Sequence, residues 1–217
     1  MTRGYTPHLH YEEGPNEPPE DVRTVAIVGA GSSGLVAAKH LTDAYFHVSI
    51  LEAHSALGGA FRTMAYDQAR LVSSTHLTAF SDLRFRDHST PHVSLERYVD
   101  YLEEYADTFR LKELVRWNTR VEAVARNADG SYVVTVLDET EAFPVGSRAS
   151  DLSFDAVCVC CGVHSHPYVP HIEGVETFTG TLLHSAEYKT RDVFRGKKVL
   201  VLGCGESGMD LAYRAVL

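Results

Sequence analysis

The sequence predicts an α/β protein in which a short parallel sheet is followed by a β-meander and then by the start of a second α/β domain. Three observations support this fold class. Short apolar runs precede two glycine-rich loops, Gly29–Gly34 and Gly203–Gly208, which share the spacing GxGxxG. The first loop is followed by an amphipathic stretch, as in strand–loop–helix units of parallel sheets. Between the loops, two alternating runs flank Asp129–Gly130, which is typical of a β-hairpin.

The first glycine-rich loop lies within a complete βαβ unit. A strand is predicted over Thr24–Val28, a helix over Leu35–Ala44 and a second strand over His47–Leu51. Glu52 ends that strand 23 residues after Gly29, where an acid can accept hydrogen bonds from an adenosine ribose. Glycine permits a tight turn, close approach to a pyrophosphate and close helix packing. The unit therefore predicts a dinucleotide site, against the alternative of an ordinary strand-to-helix turn. The second loop follows a strand expected over Lys198–Leu202 and predicts a second dinucleotide site.

The stretch between the two loops contains further predicted elements. Residues 54–92 are irregular and too long for an ordinary connection, which favours a functional loop region. Apolar residues at helical spacing predict a helix over Ser94–Phe109, with its first residue as the N-cap and its aromatic stripe in the core. Strands over Thr119–Ala125 and Ser131–Leu137 form the hairpin. We expect a three-stranded meander that ends in the parallel strand over Asp155–Val159 and so completes the sheet.

Composition is consistent with a soluble enzyme of 217 residues, 44% of them hydrophobic. The formal net charge is -9, from 29 acidic and 20 basic residues, which argues against nucleic acid or an anionic membrane surface as the main partner. No apolar run approaches the ~18 residues needed to span a bilayer, and no signal peptide begins the chain. We therefore expect a cytoplasmic protein.

Three of the four cysteines, Cys158, Cys160 and Cys161, lie in one apolar run. In a strand the first two share a face and the third points away, so they do not converge as a tetrahedral zinc site requires. We predict small buried thiols and no metal site. The neighbouring loop histidines, which could recruit a metal, are expected at the surface. They are His164, His166 and His171.

The segment Phe178–Tyr188 reads FTGTLLHSAEY and stands between the two glycine-rich loops. It resembles the FxGxxxHxxxY fingerprint of the flavin-containing monooxygenases. Three further segments are similar to that family. They are Gly58–Phe61, soon after Glu52, then Gly162, after the strand predicted over Asp155–Val159, and the prolines of Pro167–Pro170. The resemblance covers about residues 24–217.

This resemblance implies an enzyme in which NADPH reduces FAD, and the reduced flavin forms a C4a-hydroperoxide with dioxygen that oxygenates a soft nitrogen or sulfur nucleophile. The partners would be a small-molecule substrate and dioxygen. Two alternatives stay open. One is a Baeyer-Villiger monooxygenase, whose related fingerprint carries tryptophan at the position of Tyr188. The other is a truncated chain that binds FAD without turnover, and we expect the 217 residues alone to consume little NADPH.

Composition and the resemblance together predict a division of the chain into four segments. Residues 1–22 are polar and rich in proline, and we expect a disordered leader there. Residues 23–162 would form the FAD-binding domain, and residues 163–195 a crossover segment that carries the fingerprint. Residues 196–217 would be the start of an NADP-binding domain. The fold expected from the resemblance is thus a flavoprotein with two dinucleotide-binding domains.

The family's cofactor-binding positions can be carried over residue by residue. Arg62 has the alternative of a solvated loop charge. Val121 follows Arg120 as in the family's Arg-Val pair, whose amides can meet adenine, with a plain strand valine as the alternative. His184 fits a structural linker histidine better than an acid or base. The positions expected to hold FAD are Gly29, Gly31, Ser33, Gly34, Glu52, Gly59, Phe61, Arg62 and Val121, and those toward NADP are His184, Gly203, Gly205, Ser207 and Gly208.

Two positions depart from the family pattern. Many members carry an asparagine, associated with the flavin and substrate, near the loop Leu71–His76, and none stands there. Ser73, Ser74 or Thr75 would have to substitute, as the candidate catalytic positions. In the second loop Glu206 replaces the common asparagine, which favours the helix dipole but opposes the charge of a bound pyrophosphate.

Overall fold

The computed structural model describes residues 23–87, 89–138, 149–164 and 166–217. The leader predicted over residues 1–22 lies outside these residues. Every predicted site residue lies within them.

The chain divides into two compact units that interleave along the sequence. The first comprises the described residues up to Ala56 together with Phe109–Cys160, and the second comprises Leu57–Thr108 and Cys161–Leu217. The predicted domain boundaries follow chain order and stay a prediction. The strands and the α-helix of the first unit are β1 (Thr24–Val28), α1 (Ser32–Asp43), β2 (His47–Leu51), β3 (Val115–Arg116), β4 (Thr119–Arg126), β5 (Tyr132–Asp138), β6 (Ala149–Phe154) and β7 (Ala156–Val159), and a 3-10 turn lies at Leu111–Leu114.

A four-stranded parallel sheet in the order β3-β2-β1-β7 is the framework of the first unit. Both strands predicted around the first loop are confirmed at their expected ends. The centre of β1, Val25 to Ile27, is fully buried, as expected for a strand of a parallel sheet that is covered on both faces. Asp155 precedes β7, and its Oδ2 accepts hydrogen bonds from the backbone nitrogens of Arg23 (3.0 Å) and Thr24 (2.8 Å). This contact ties the start of β7 to the start of β1.

Helix α1 begins directly after Gly31, three residues earlier than the apolar pattern predicts. Its first turn carries serine and glycine, which contribute no apolar periodicity. The Leu35 amide donates to the Gly31 carbonyl oxygen at 3.0 Å. The buried residues of the helix, Gly34, Leu35 and Ala38, lie on one face, which packs against the sheet.

The predicted hairpin is confirmed as strands β4 and β5 of a separate antiparallel sheet in the order β4-β5-β6. The third strand of this sheet is β6 and not the predicted Asp155–Val159, because the polar sequence of β6 gives no apolar signal. Gly130 has φ +92° in the hairpin turn, a conformation that favours glycine. Strand β7 then returns to the parallel sheet beside β1, as expected. One hydrophobic cluster of this unit, between the two sheets, consists of Ala26, Leu51, Val134, Val136 and Phe154.

The second unit is mainly helical and irregular. None of the described helices is both long and apolar enough to cross a membrane. The α-helices of the second unit are α2 (Ala60–Thr63), α3 (Thr75–Thr78), α4 (Leu95–Thr108) and α5 (Glu206–Val216), with 3-10 turns at Val175–Thr177, Ser185–Glu187 and Arg191–Phe194.

Helix α4 confirms the helix predicted from aromatic periodicity. The Ser94 Oγ accepts a hydrogen bond from the Arg97 amide at 3.2 Å, so the predicted N-cap is present. The Tyr101 hydroxyl accepts from the Phe80 amide and donates to the Leu83 carbonyl oxygen, both at 2.8 Å. The aromatic stripe is therefore core, as predicted. The buried residues of the helix are Tyr98, Val99, Tyr101, Leu102, Tyr105 and Ala106.

The strand predicted over Lys198–Leu202 is wrong, because these described residues form no strand. A strand needs a neighbour that pairs with its backbone groups, and no described segment forms a ladder with this one. Two of its apolar side chains, Leu200 and Leu202, are 82% and 67% exposed. Apolar composition alone therefore did not decide the conformation here.

Candidate dinucleotide sites

The first glycine-rich loop has the backbone conformation that a pyrophosphate cradle needs. Gly29 has φ +102°, which only glycine adopts readily, and it turns the chain out of β1. Gly31 is the N-cap of α1, so the first amides of the helix point toward the loop. A Cβ on Gly34 would overlap the carbonyl oxygen of Gly29. The predicted glycine positions of this loop thus serve turn and helix packing.

Glu52 lies beside this loop and is 5% exposed. Its Oε2 accepts a hydrogen bond from the Ala30 amide at 2.7 Å. Its Oε1 contacts the amide and the ring Nδ1 of His54, both at 2.9 Å. A carboxylate has about four acceptor sites, so these contacts leave one for a ribose hydroxyl. Motif spacing located Glu52 but not His54, whose role depends on a side-chain contact outside the motif.

The second glycine-rich loop repeats the geometry of the first. Gly203 has φ +114°. Gly205 is the N-cap of α5 with φ -71° and ψ 179°, close to the -78° and -175° of the N-cap of α1. A Cβ on Gly208 would overlap the carbonyl oxygen of Gly203, whereas a Cβ on Gly205 would meet no atom within 4 Å. This cradle is therefore open where a pyrophosphate would approach, so the residues fit the expected cofactor.

Polar side chains stand at the N-terminal turn of each loop helix. Ser33 and Ser207 are exposed in α1 and α5 respectively. Glu206 is also exposed, in the first turn of α5, where a carboxylate favours the helix dipole. The side chains beside the second cradle are thus one hydroxyl and one negative charge.

The predicted flavin segment after Gly58 is held against α4. Gly59 is the N-cap of α2 with φ 54°. The Phe61 ring makes an edge contact with Tyr98, with centroids 4.7 Å apart. The Arg62 Nε donates to the Leu57 carbonyl oxygen at 2.6 Å, and its Nη2 lies 2.7 Å from Glu103 Oε1. Arg62 therefore braces this turn, a role that neither sequence alternative included.

The three candidate hydroxyls at 73–75 differ in their surroundings. Ser73 Oγ lies 2.6 Å from Thr78 Oγ1. Thr75 is 1% exposed, and its amide donates to the Pro91 carbonyl oxygen at 2.8 Å. Ser74 is half-buried at the N-cap of α3, and its side chain makes no capping hydrogen bond. Ser74 is thus the candidate whose hydroxyl is least committed to local structure.

Val121 and His184 both have local structural tasks. Val121 packs against the core of the first unit and precedes an irregularity in the β4–β5 pairing. His184 caps a 3-10 turn: its Nδ1 accepts from the Ala186 amide at 3.1 Å, and its own amide donates to Glu187 Oε2 at 3.2 Å. This capping agrees with a structural linker histidine, and contacts of either residue with a cofactor stay predictions.

The cysteine arrangement agrees only in part with the sequence prediction. Cys158 and Cys160 share a face, with their sulfurs 3.6 Å apart. Both are half-buried and Cys161 is exposed, so the prediction of buried thiols is wrong. The strand ends at Val159, and the chain then leaves the sheet. Within the described ranges no group of three or more His, Cys, Asp or Glu residues is placed to hold a metal ion.

Comparison with known proteins identifies the family. A family model described as FMO-like, flavin-binding monooxygenase-like, matches residues 22–216. Monooxygenase PC-14 of Penicillium crustosum is 40% identical over 200 residues, which cover 88% of this chain and 33% of that protein. Flavin-containing monooxygenase 1 of Rattus norvegicus is 34% identical over 205 residues, covering 89% of this chain and 38% of that protein. The chain spans about a third of the length of these relatives.

Solved structures show the same fold. The flavin-containing monooxygenase of Stenotrophomonas maltophilia has a TM-score of 0.74 at 26% identity, covering 86% of this chain and 53% of that one. An oxidized steroid monooxygenase bound to NADP has a TM-score of 0.65 at 26% identity, covering 88% of this chain and 36% of that one. The predicted fold class and the expectation of a flavin cofactor are confirmed by these matches. The chain belongs to the flavin-binding monooxygenase-like family.

Proposed function

We propose that this chain carries the FAD site and the first part of the NADPH site of a monooxygenase that oxygenates soft nitrogen or sulfur nucleophiles. The observation that carries the proposal is the shared geometry of the two glycine-rich loops. Two cradles of the same shape in one chain are suited to two dinucleotides. Membership in a flavin-binding family supports FAD as the first, and the NADP-bound steroid monooxygenase supports NADPH as the second.

The residues of the chain then have separate tasks. FAD and NADPH supply the hydride transfer and the activation of dioxygen when bound. Amides at the start of α1 face the FAD pyrophosphate, and the free acceptor site of Glu52 takes a ribose hydroxyl. Amides at the start of α5 face the NADPH pyrophosphate. Of the three hydroxyls at 73–75, Ser74 is the catalytic candidate that we propose.

The choice of nucleophile is supported by Tyr188 in the fingerprint. The alternative insertion of oxygen into ketones is associated with tryptophan at this place. We test the choice by supplying the full-length protein with FAD, NADPH and dioxygen, since the 217 residues alone are expected to consume little NADPH, and by analysing products from a tertiary amine, a sulfide and a cyclic ketone. N- or S-oxides are expected. Lactones from the ketone without N- or S-oxides would overturn the nitrogen or sulfur assignment and leave the monooxygenase family intact.

The second cradle offers a sharper test because two neighbouring substitutions should act in opposite directions. Gly205→Ala places a methyl in open space with an ordinary φ, so the loss of stability should not exceed about 1 kcal/mol, the preference of an N-cap for glycine over alanine. The methyl occupies the path of the pyrophosphate, so the Kd for NADP⁺ should rise about tenfold or more. Glu206→Gln removes a negative charge beside the ligand, so the Kd should fall about two- to fivefold.

Isothermal titration with NADP⁺ measures both effects, and thermal unfolding provides the control. Gly205→Ala should unfold within about 4 °C of the parent. Should both variants bind NADP⁺ as the parent does, the second loop is not the NADP site.

A further inference from the structure

A cluster of buried and half-buried aromatic and charged side chains lies within the second unit, outside the two glycine-rich loops. Tyr188, the last residue of the fingerprint, is 1% exposed, and Arg214 of α5 is 9% exposed. Such buried charge is stable only when hydrogen bonds and opposite charges surround it. The tyrosine–arginine cluster consists of Tyr66, Asp67, Tyr188, Asp210 and Arg214.

Tyr188 joins the fingerprint segment to Asp67. Its hydroxyl lies 3.3 Å from Asp67 Oδ1 and donates to it. The Asp67 amide donates to the Lys189 carbonyl oxygen at 2.8 Å, and the Arg191 amide lies 3.4 Å from Asp67 Oδ2. The Tyr188 ring stacks on Phe194, with centroids 5.2 Å apart. The chain after the fingerprint is therefore held at Asp67 from several sides.

Arg214 joins α5 to the same segment. Its Nη2 donates to the Gln68 carbonyl oxygen and its Nε to Asp210 Oδ2, both at 2.9 Å. Its Nη1 lies 4.0 Å from Asp67 Oδ1. The Tyr66 hydroxyl donates to Asp210 Oδ2 at 2.7 Å, and the guanidinium lies 5.2 Å from the centre of the Tyr66 ring. One cation is thus shared between two carboxylates, each of which also accepts from a tyrosine.

Helix α5 depends on this cluster because it buries little apolar surface. Of its residues, all described, only Leu211 and Arg214 are buried. Met209, Tyr213 and Val216 are 62%, 65% and 87% exposed. Hydrophobic packing, which usually fixes a helix, is therefore minor here. The polar contacts at Asp210, less than two turns after Gly205, set the position of the helix start.

The hydroxyls of the cluster remain donors over the whole neutral range. Burial and the neighbouring Asp210 raise the pKa of Tyr66 to about 12. Burial and Asp67 likewise raise the pKa of Tyr188 above its usual value. Because two carboxylates share one arginine, these neutral donors are needed to satisfy the remaining negative charge.

We propose that Tyr188 is a positioning residue: by holding Asp67 beside Arg214, it fixes α5 and so aims the amides of the second glycine-rich loop. The inference rests on the proposed function only in taking NADP⁺ as the ligand of that loop. It gives the fingerprint tyrosine a physical task that acts through Asp67 and does not require contact with either cofactor.

The test uses Tyr188→Phe, which removes only the hydroxyl, and Asp67→Asn, which removes the charge but keeps an acceptor oxygen. Asp192→Asn is the matched control, because its 2.8 Å pair with Arg195 is exposed and lies in the same segment. Amide hydrogen exchange is followed by mass spectrometry in residues 203–210, with residues 29–35 as an internal reference. Titrations with NADP⁺ and with FAD give the two Kd values.

Tyr188→Phe and Asp67→Asn should raise exchange in residues 203–210 about tenfold and leave residues 29–35 unchanged. The Kd for NADP⁺ should rise about fivefold or more with the FAD Kd within about twofold of the parent. Asp192→Asn should change neither. If Tyr188→Phe does not fold, Asp67→Asn decides alone.

Unchanged exchange in residues 203–210 would overturn the proposal, and so would a uniform rise in both peptides with equal weakening of both ligands. If the parent binds no NADP⁺, the proposed function fails, while hydrogen exchange still decides whether Tyr188 positions α5.

Discussion

Removal of the Glu52 carboxylate should weaken the first unit and its FAD site by separable amounts. Glu52→Ala leaves the Ala30 amide, which is fully buried, without its acceptor. An unsatisfied buried donor costs about 1–3 kcal/mol. The His54 ring adds little, since that side chain is 56% exposed and can turn to water. The melting temperature should therefore fall by about 2–12 °C for a chain of this size.

The same substitution removes the acceptor for the ribose hydroxyl. A lost hydrogen bond to a charged group is worth about 1.5–3 kcal/mol, so the Kd for FAD should rise about 10- to 150-fold. Glu52→Gln keeps one acceptor oxygen, so it should restore much of the stability while FAD binding stays weakened. Thermal unfolding followed by circular dichroism and titration with FAD measure the two effects.

Glu122→Ala is the control, because it removes the same side chain from an exposed position on β4. It should change the melting temperature by less than about 2 °C. The reasoning is refuted if Glu52→Ala has the same melting temperature as the parent and as Glu122→Ala, and also binds FAD with unchanged affinity.

Two further predictions concern the second unit. Burial is the main cause that raises the pKa of Tyr101 to about 12, and it also raises the pKa of Tyr66 to about 12. In the unfolded chain these tyrosines lose their protons first, near pH 10. The free energy of unfolding should therefore fall as pH rises from about 10 toward 12. Tyr101→Phe should lessen that slope and cost about 1–3 kcal/mol at neutral pH in urea unfolding, and an unchanged slope would contradict the assignment. Arg62→Ala should cost about 1–3 kcal/mol, because the Leu57 carbonyl oxygen loses its donor. The exposed Arg110→Ala should leave the free energy of unfolding close to that of the parent by the same assay, and equal losses would contradict the assignment of Arg62 to this turn.

Much of the fold could be predicted because the elements near the first loop are specified by local patterns. The strands β1 and β2, helix α4 and the hairpin around Gly130 follow from periodicity and turn residues within short windows. The two glycine-rich loops and the fingerprint likewise depend on fixed spacings, which the sequence displays directly. Strand β3 has only two residues and leaves no periodic signal.

The rest was decided by contacts between distant parts of the chain. Lys198–Leu202 has the composition of a strand but forms none, since pairing depends on a neighbour and not on the segment itself. Tyr66 and Asp210 are 144 residues apart in sequence, and Tyr188 and Asp67 are 121 apart. The spacing of the glycine motifs predicts which backbone segments can approach a phosphate. Only the tertiary structure shows which side chains hold that backbone in place, because their partners are set by packing and burial.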